Sequence, residues 1–266
     1  MDLKNTRVLL TGACGGIGRA IARALAQRGA NMCLIDRRAD DLETLAAELH
    51  SEGVRIETAC ADITTVEGRD GIVRCVHQRL EGVDVLLNNA GIGAFAEFVE
   101  QSPGDIEQMF KVNVVAPMQL TRELLPTMIE KGGGRIVNIG SVFGSIAFAW
   151  HTSYSASKFA LRGFSEALRR ELVGTGVGVS YIAPRAVKTT LNSNAVYRMA
   201  KEVNMKMDEP ADVARRVVQA IERDRDEVVL GWPESLFVRL NSLFPRLIDV
   251  ALRKQNRIMR TFLHEP

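Results

Sequence analysis

The sequence is short of the features that would take it outside ordinary globular chemistry. It has four cysteines, Cys14, Cys33, Cys60 and Cys75, scattered without C-x-x-C spacing and without neighbouring histidine pairs. That excludes a disulfide scaffold and a zinc site, so no metal is expected, and it points to a reducing, cytoplasmic compartment. No run reaches the 18 or so apolar residues that a membrane-spanning helix needs. No charge dominates: 34 Lys and Arg against 32 Asp and Glu leave +2. That argues against a nucleic-acid partner, which calls for a clustered basic stripe. The opening Met1-Asp2-Leu3-Lys4-Asn5 lacks an apolar h-region, which argues against secretion. There is no internal repeat, and no Pro/Gly/Ser-rich linker at which to divide the chain.

What is present is globular. The chain has 266 residues, 46% apolar and 25% charged, close to soluble averages. It can bury about three quarters of its unfolded surface without a staple. Length alone allows roughly 1.8 domains. Without a linker, the reading is one domain over residues 1–232, with 233–266 as an amphipathic helical extension.

Short apolar runs alternate with helical periodicity. Strands are expected at 7–11, 31–36, 54–60, 83–87, 134–139, 177–182 and 227–230. Ile17, Ile21 and Leu25 mark the first helix, which Gly29 is placed to end; others are expected at 40–51, 65–80, 103–131, 152–173 and 210–223. This alternation predicts right-handed βαβ crossovers and a doubly wound, Rossmann-like parallel α/β sheet of about seven strands. Residues 185–208 read as a long insertion.

Two constellations carry chemistry. Thr11-Gly12-Ala13-Cys14-Gly15-Gly16-Ile17-Gly18 follows the first strand and opens the first helix. Glycines let the backbone approach a pyrophosphate, and the helix N-terminus offers free N–H groups to it. Asp36 ends the second strand 18 residues past Gly18, where a carboxylate meets adenosine ribose hydroxyls. The second constellation is Tyr154-Ser155-Ala156-Ser157-Lys158. At i, i+4 a lysine lies beside the tyrosine, roughly 5–6 Å away at Cβ. Its ammonium favours the phenolate and suits the phenol to general acid/base work. Ser141 stands 13 residues upstream, at the end of the fifth strand.

These residues resemble the short-chain dehydrogenase/reductase family over positions 5 to about 230. The resemblance rests on the glycine turn, Asp62-Ile63, Asn88-Asn89-Ala90-Gly91, Asn113, Ser141 and Tyr154-x-x-x-Lys158. It implies an NAD(P)-dependent oxidoreductase that interconverts a secondary alcohol and a ketone. Tyr154 would exchange the proton and Ser141 polarise the substrate oxygen. Lys158 would hold the nicotinamide ribose and depress the phenol, and Asn113 would anchor a water. Gly12, Cys14, Gly16, Ile17, Gly18, Asp36, Arg37, Asp62, Ile63, Asn89, Ala90, Gly91, Val187 and Thr189 would line the cofactor, with Tyr154 and Lys158 also touching it. Family members are homo-oligomers, so a homodimer or homotetramer is expected.

Asp36 would repel a 2′-phosphate, so NAD is expected over NADP, although Arg37 and Arg38 follow at once. The family's usual Pro-Gly after strand six is Pro184-Arg185 here. Arg185 is read either as a contact for an anionic substrate or as a solvated loop arginine. His151 is expected in the substrate wall. Phe143 and its aromatic neighbours read equally as an apolar substrate channel or as packing, and Cys14 reads as a small apolar spacer. The substrate expected is apolar: a 3-oxoacyl or 3-hydroxyacyl thioester, or a lipid-like alcohol. The tail, with Leu236, Leu240, Leu243, Leu247 and Val250 interleaved with arginines, packs on the core or a subunit, or lies on a membrane. The rivals are a non-catalytic dinucleotide-binding regulator or scaffold, and a sugar-nucleotide epimerase or dehydratase, for which 266 residues leave little room.

Overall fold

The fold was analysed in a computed structural model, which describes residues 1–50 and 52–263. Position 51, where the expected second helix ends, and tail residues 264–266 lie outside them. Seven strands form one sheet: β1 (Arg7–Thr11), β2 (Asn31–Asp36), β3 (Ile56–Cys60), β4 (Val85–Asn88), β5 (Gly134–Ile139), β6 (Val177–Ala183) and β7 (Glu227–Val229). Their order is β3-β2-β1-β4-β5-β6-β7, and every pairing is parallel. The chain reverses its direction of travel across the sheet between β1 and β4, and a crevice opens at such a point beyond the strand ends.

Period-two alternation builds the core on both faces. Val8 and Leu10 of β1 join a layer with Ile21 and Leu25 of α1 (Gly16–Ala26), and with Val217 and Ile221 of α8 (Pro210–Glu222). Leu9, between them, joins the opposite layer with Ile72 of α3 (Val66–Gln78) and Leu120 and Leu124 of α5 (Ala116–Glu130). Leu168 of α6 (Thr152–Glu171) completes that layer. Helix α2 (Ala39–His50) covers the first.

The structure departs from the sequence reading in two places, whereas the break expected at Pro245 is present. The helix expected at 103–131 is interrupted: α4 (Pro103–Phe110) widens into a π turn over Lys111–Val115 before α5 begins. Pro117 has no N–H to return to the carbonyl of residue 113, so the α ladder fails there. The insertion after β6 contains a helix, α7 (Asn194–Glu202), capped by the Ser193 hydroxyl accepting from the Val196 N–H. Its short apolar face, Ala195, Met199 and Ala200, gave too few repeats to read. Pro245 splits the tail into α9 (Glu234–Leu243) and α10 (Pro245–Arg260).

The tail is tied to the segment that follows β5. Val238, Ile248 and Leu252 pack with Val142, Ile146, Phe143 and Phe148. Asn241 Nδ2 donates to the Ser145 carbonyl at 2.9 Å, and Trp150 Nε1 donates to the Asn256 carbonyl at 3.3 Å. Met259 of α10 is fully buried. Met259→Ala is therefore expected to cost about 2–5 kcal/mol in urea unfolding; an unchanged midpoint would mean that α10 contributes nothing to the core.

Candidate active site

The C-terminal ends of β1 and β4 are tied together. Thr11 Oγ1 accepts the N–H groups of Asn89 and Ala90, at 3.1 and 3.2 Å. Asn89 Nδ2 returns two bonds, to the carbonyls of Thr11 and Gly12, each 3.0 Å. Gly12 has φ +63°, and a Cβ there would lie 2.7 Å from Ala90 Cα. A Cβ on Gly18 would stand 2.1 Å from the Gly12 carbonyl oxygen. Only glycine closes this turn. It feeds α1, whose N-cap Gly15 supplies no side-chain cap, leaving the first N–H groups to an anion.

A cleft of about 350 Å³ follows. Its walls include Gly12, Gly16, Ile17, Gly18, Asp36, Arg37, Asp62, Ile63, Asn89, Ala90, Gly91 and Thr189. Glycines against the backbone, a bare helix N-terminus and a carboxylate at the far end fit a dinucleotide. Asp36 Oδ2 accepts the Cys14 N–H at 3.0 Å, and Oδ1 accepts the Arg37 N–H at 2.9 Å. Arg38 is held between Asp36 (3.2 Å) and Asp41 (2.9 Å), while Arg37 reaches Asp62 at 3.8 Å.

Beyond the other end of the cleft lie the residues able to move a proton. Lys158 is buried and its Nζ donates to the Ile139 carbonyl at 3.1 Å. Burial holds its pKa down, at about 8. The ammonium sits 5.7 Å from the centroid of the Tyr154 ring. Burial also raises the Tyr154 phenol above its ordinary value, and a hydrogen bond with the Ser141 side chain pulls the other way. Burial is the larger influence on the phenol, and it runs against the depression expected from Lys158. Asn113 lies in the π turn. Its Oδ1 accepts the Ile92 N–H at 2.9 Å, and its Nδ2 donates to the Ile92 carbonyl (2.9 Å) and to Ser157 Oγ (3.0 Å). Both amide hydrogens are committed to protein acceptors, so this side chain fixes the loop after β4 to α6.

His151 Nδ1 lies 2.8 Å from the Ala94 carbonyl. A carbonyl only accepts, so Nδ1 carries the proton and Nε2 is left as an acceptor. Burial lowers the imidazole to about 4, which keeps it neutral. Its ring lies 5.1 Å from Phe95, 5.0 Å from Phe143 and 6.4 Å from Tyr154. Phe143 in turn stacks on Phe148 at 4.6 Å.

A family model described as short chain dehydrogenase matches residues 6–200. The chain belongs to the short-chain dehydrogenase/reductase family. It is 36% identical to a ketoacyl reductase, HetN, of a Nostoc species, over 98% of this chain and 90% of that protein. It is 33% identical to dehydrogenase/reductase SDR family member 7B of Bos taurus, over 96% and 84%. Among solved structures, a Burkholderia phymatum short-chain dehydrogenase/reductase in complex with NAD superposes with TM-score 0.84 at 25% identity, covering 93% of this chain and 96% of that one. A metagenomic short-chain oxidoreductase in complex with NADP gives 0.73 at 30%, covering 86% and 98%. This protein is therefore an oxidoreductase of CH–OH groups, and its cleft is that of a family using NAD or NADP.

Three of the residues expected at the site also have partners within the protein. Cys14 is buried behind the cleft, its thiol raised to about 11 by burial and by the Asp36 charge; only its N–H serves Asp36. Val187 is also buried and is paired in a bridge with Asp208. Arg185 does not float in solvent: its side chain is only 15% exposed and is held by two carboxylates. It donates to Asp208 Oδ1 (2.6 and 3.1 Å) and to Glu234 Oε2 (3.1 Å). Where the family has glycine, this dehydrogenase has a strut joining the insertion to the base of α9.

Thr11 heads the glycine motif, but sequence reasoning assigned it no role; its hydroxyl ties the ends of β1 and β4 together beside the crevice. Sequence reasoning also missed Tyr181, fully buried on β6. The Tyr181 hydroxyl donates to the Ser141 carbonyl at 3.2 Å and accepts the Ser141 N–H at 3.4 Å. A Cβ on Gly140 or Gly144 would fall 2.2–2.3 Å from that side chain, so two glycines make room for the phenol that steadies Ser141. Gly18→Ala is expected to weaken NADH binding by about tenfold or more in a fluorescence titration; unchanged affinity would separate the turn from the dinucleotide.

Proposed function

We propose that the protein interconverts a secondary alcohol and a ketone, with Tyr154 exchanging the proton and with NAD preferred over NADP. One observation carries this reading. The Tyr154 ring has the Ser141 side chain near its phenol, the Lys158 ammonium 5.7 Å away and Leu191 of the cleft wall close by. A Cβ added to Gly93 would touch both Tyr154 and Leu191, at 3.8 and 3.9 Å. The residues of proton chemistry thus adjoin the dinucleotide cleft.

When bound, the dinucleotide supplies or takes up the hydride. The chain's own residues handle the oxygen. In reduction, Ser141 Oγ–H polarises the carbonyl and Tyr154 Oη–H gives its proton to the developing alkoxide. The Lys158 ammonium, fixed on the Ile139 carbonyl, stabilises the phenolate left behind. Oxidation runs the same transfers in reverse. Asn113 keeps the 92 loop and α6 in register through Ser157, whose hydroxyl donates to the Tyr154 carbonyl at 2.7 Å.

Asp36 supports the NAD preference: its carboxylate faces the cleft and repels a 2′-phosphate, and Arg38 is already engaged by two carboxylates. The substrate is proposed to be apolar, a 3-oxoacyl thioester or a lipid-like ketone or alcohol. Phe95, Phe143, Phe148 and His151 form an aromatic wall beside Tyr154, and the HetN relative is named for ketoacyl reduction. Exposed Met118, Ile129 and Phe159 on α5 and α6 supply an apolar face for a homodimer or homotetramer.

The test follows reduced-nicotinamide absorbance with NAD and NADP against ketones, acyl thioesters and alcohols. Turnover is expected on apolar ketones, with kcat about a thousandfold lower in Tyr154→Phe; full turnover in that variant would refute the proton donor. Ketone reduction needs the protonated phenol, which burial preserves through neutral pH, and the charged Lys158. The rate is therefore expected to stay level through neutral pH and to fall as pH rises past about 8. A rate that climbs through that window contradicts the assignment.

A further inference from the structure

We propose that the corner between α9 and α10 is a docking surface for a bilayer containing anionic phospholipid. The inner sides of these helices are spent on the core, through Val238, Ile248, Leu252 and Met259. Their outer sides are not polar. Leu243 is 71% exposed, Phe244 54%, Leu247 67% and Val250 57%, and all four lie within about two turns of the break at Pro245. Leu247 and Val250 share one face of α10 by their i, i+3 spacing. Leu236 and Phe237 add further exposed apolar area on α9. Single exposed apolar side chains need no explanation, but a cluster on one corner does.

Charge says what covers it. Arg239, Arg246, Arg253, Lys254 and Arg257 are exposed on the same two helices. Among the described residues none of the five forms a salt bridge, unlike Arg260, which meets Glu97. The one exposed carboxylate on α10 is Asp249. A second copy docking here about a two-fold axis would set each array of cations against its like, which is costly. The exposed apolar side chains stand at the break between the two helices, with the exposed cations on the same two helices. That is the form of a segment lying in a membrane interface, apolar side inward and cations at the headgroups. No helix among the described residues is long and apolar enough to cross a membrane, so the contact is peripheral. The opposite sides of the same helices back Phe143 and Phe148, so the proposed substrate wall lies directly behind the docking face.

The experiment is flotation of the full-length protein with vesicles of phosphatidylcholine alone, or mixed with phosphatidylglycerol. It reads no catalysis, so its outcome is independent of the proposed reaction. The wild type is expected to float with the mixed vesicles about tenfold more than with the neutral ones, and salt should narrow the difference. Leu243→Ser/Phe244→Ser/Leu247→Ser should lower flotation about tenfold while keeping its melting temperature and its turnover of a water-soluble ketone. Arg246→Gln/Arg253→Gln should lose the preference for anionic lipid. The proposal is overturned if the wild type stays unbound with both vesicles or if the triple serine variant floats as well as wild type. It is equally overturned if light scattering shows that variant falling to a smaller oligomer, which would assign the face to a second copy.

Discussion

The site depends on how tightly the carboxyl ends of β1 and β4 are held at the point where the sheet's winding reverses. The side chains of Thr11 and Asn89 make four hydrogen bonds across that gap, to backbone groups of residues 11, 12, 89 and 90, so buried backbone groups that a crevice would leave unpaired are satisfied by side chains instead. The gap can then stay open for a ligand without losing its edges. Gly12 lies against Ala90 because of this clamp, and the 89–92 loop is delivered to Asn113. Through Ser157, Asn113 passes the same register to the helix that carries Tyr154 and Lys158.

Burial sets the electrical character of the site more than pairwise charge does. Tyr154 is raised and Lys158 lowered, each chiefly by desolvation, so both are driven toward their neutral forms. An anion entering the cleft beside Lys158 would favour its charged form and, through it, the phenolate. The acid/base pair is in this sense conditional on the ligand. His151 extends the logic: neutral and aromatic-flanked, it gives the proposed substrate wall one acceptor atom among aromatic rings.

Much of this was legible in the sequence, because it rests on local rules. The parallel sheet follows from apolar runs alternating with helical stripes, and β5 occupies the expected 134–139 span. The cleft follows from a glycine turn and a carboxylate at fixed spacing. What escaped the reading was mostly long-range. The π turn at 111–115 is the exception, since Pro117 stands only two residues beyond it. Tyr181 reads as one more apolar strand residue until Gly140 and Gly144 are seen to leave room for it. Arg185 reads as a cation near the site mouth, because its partners Asp208 and Glu234 lie 23 and 49 residues away. The tail's periodicity was plain, but which side faces the core is decided by what it meets there.

The central claim is geometric: a dinucleotide in the cleft presents its reactive end to a carbonyl that Tyr154 can protonate. The most direct measurement is a crystal structure of the complex with reduced NAD and a ketone analogue. The account predicts Tyr154 Oη within about 2.6–3.2 Å of the analogue's oxygen, with Ser141 Oγ on the same atom and the adenosine ribose at Asp36. A complex in which that hydroxyl turns away from the ligand, or in which the dinucleotide lies elsewhere, would contradict it.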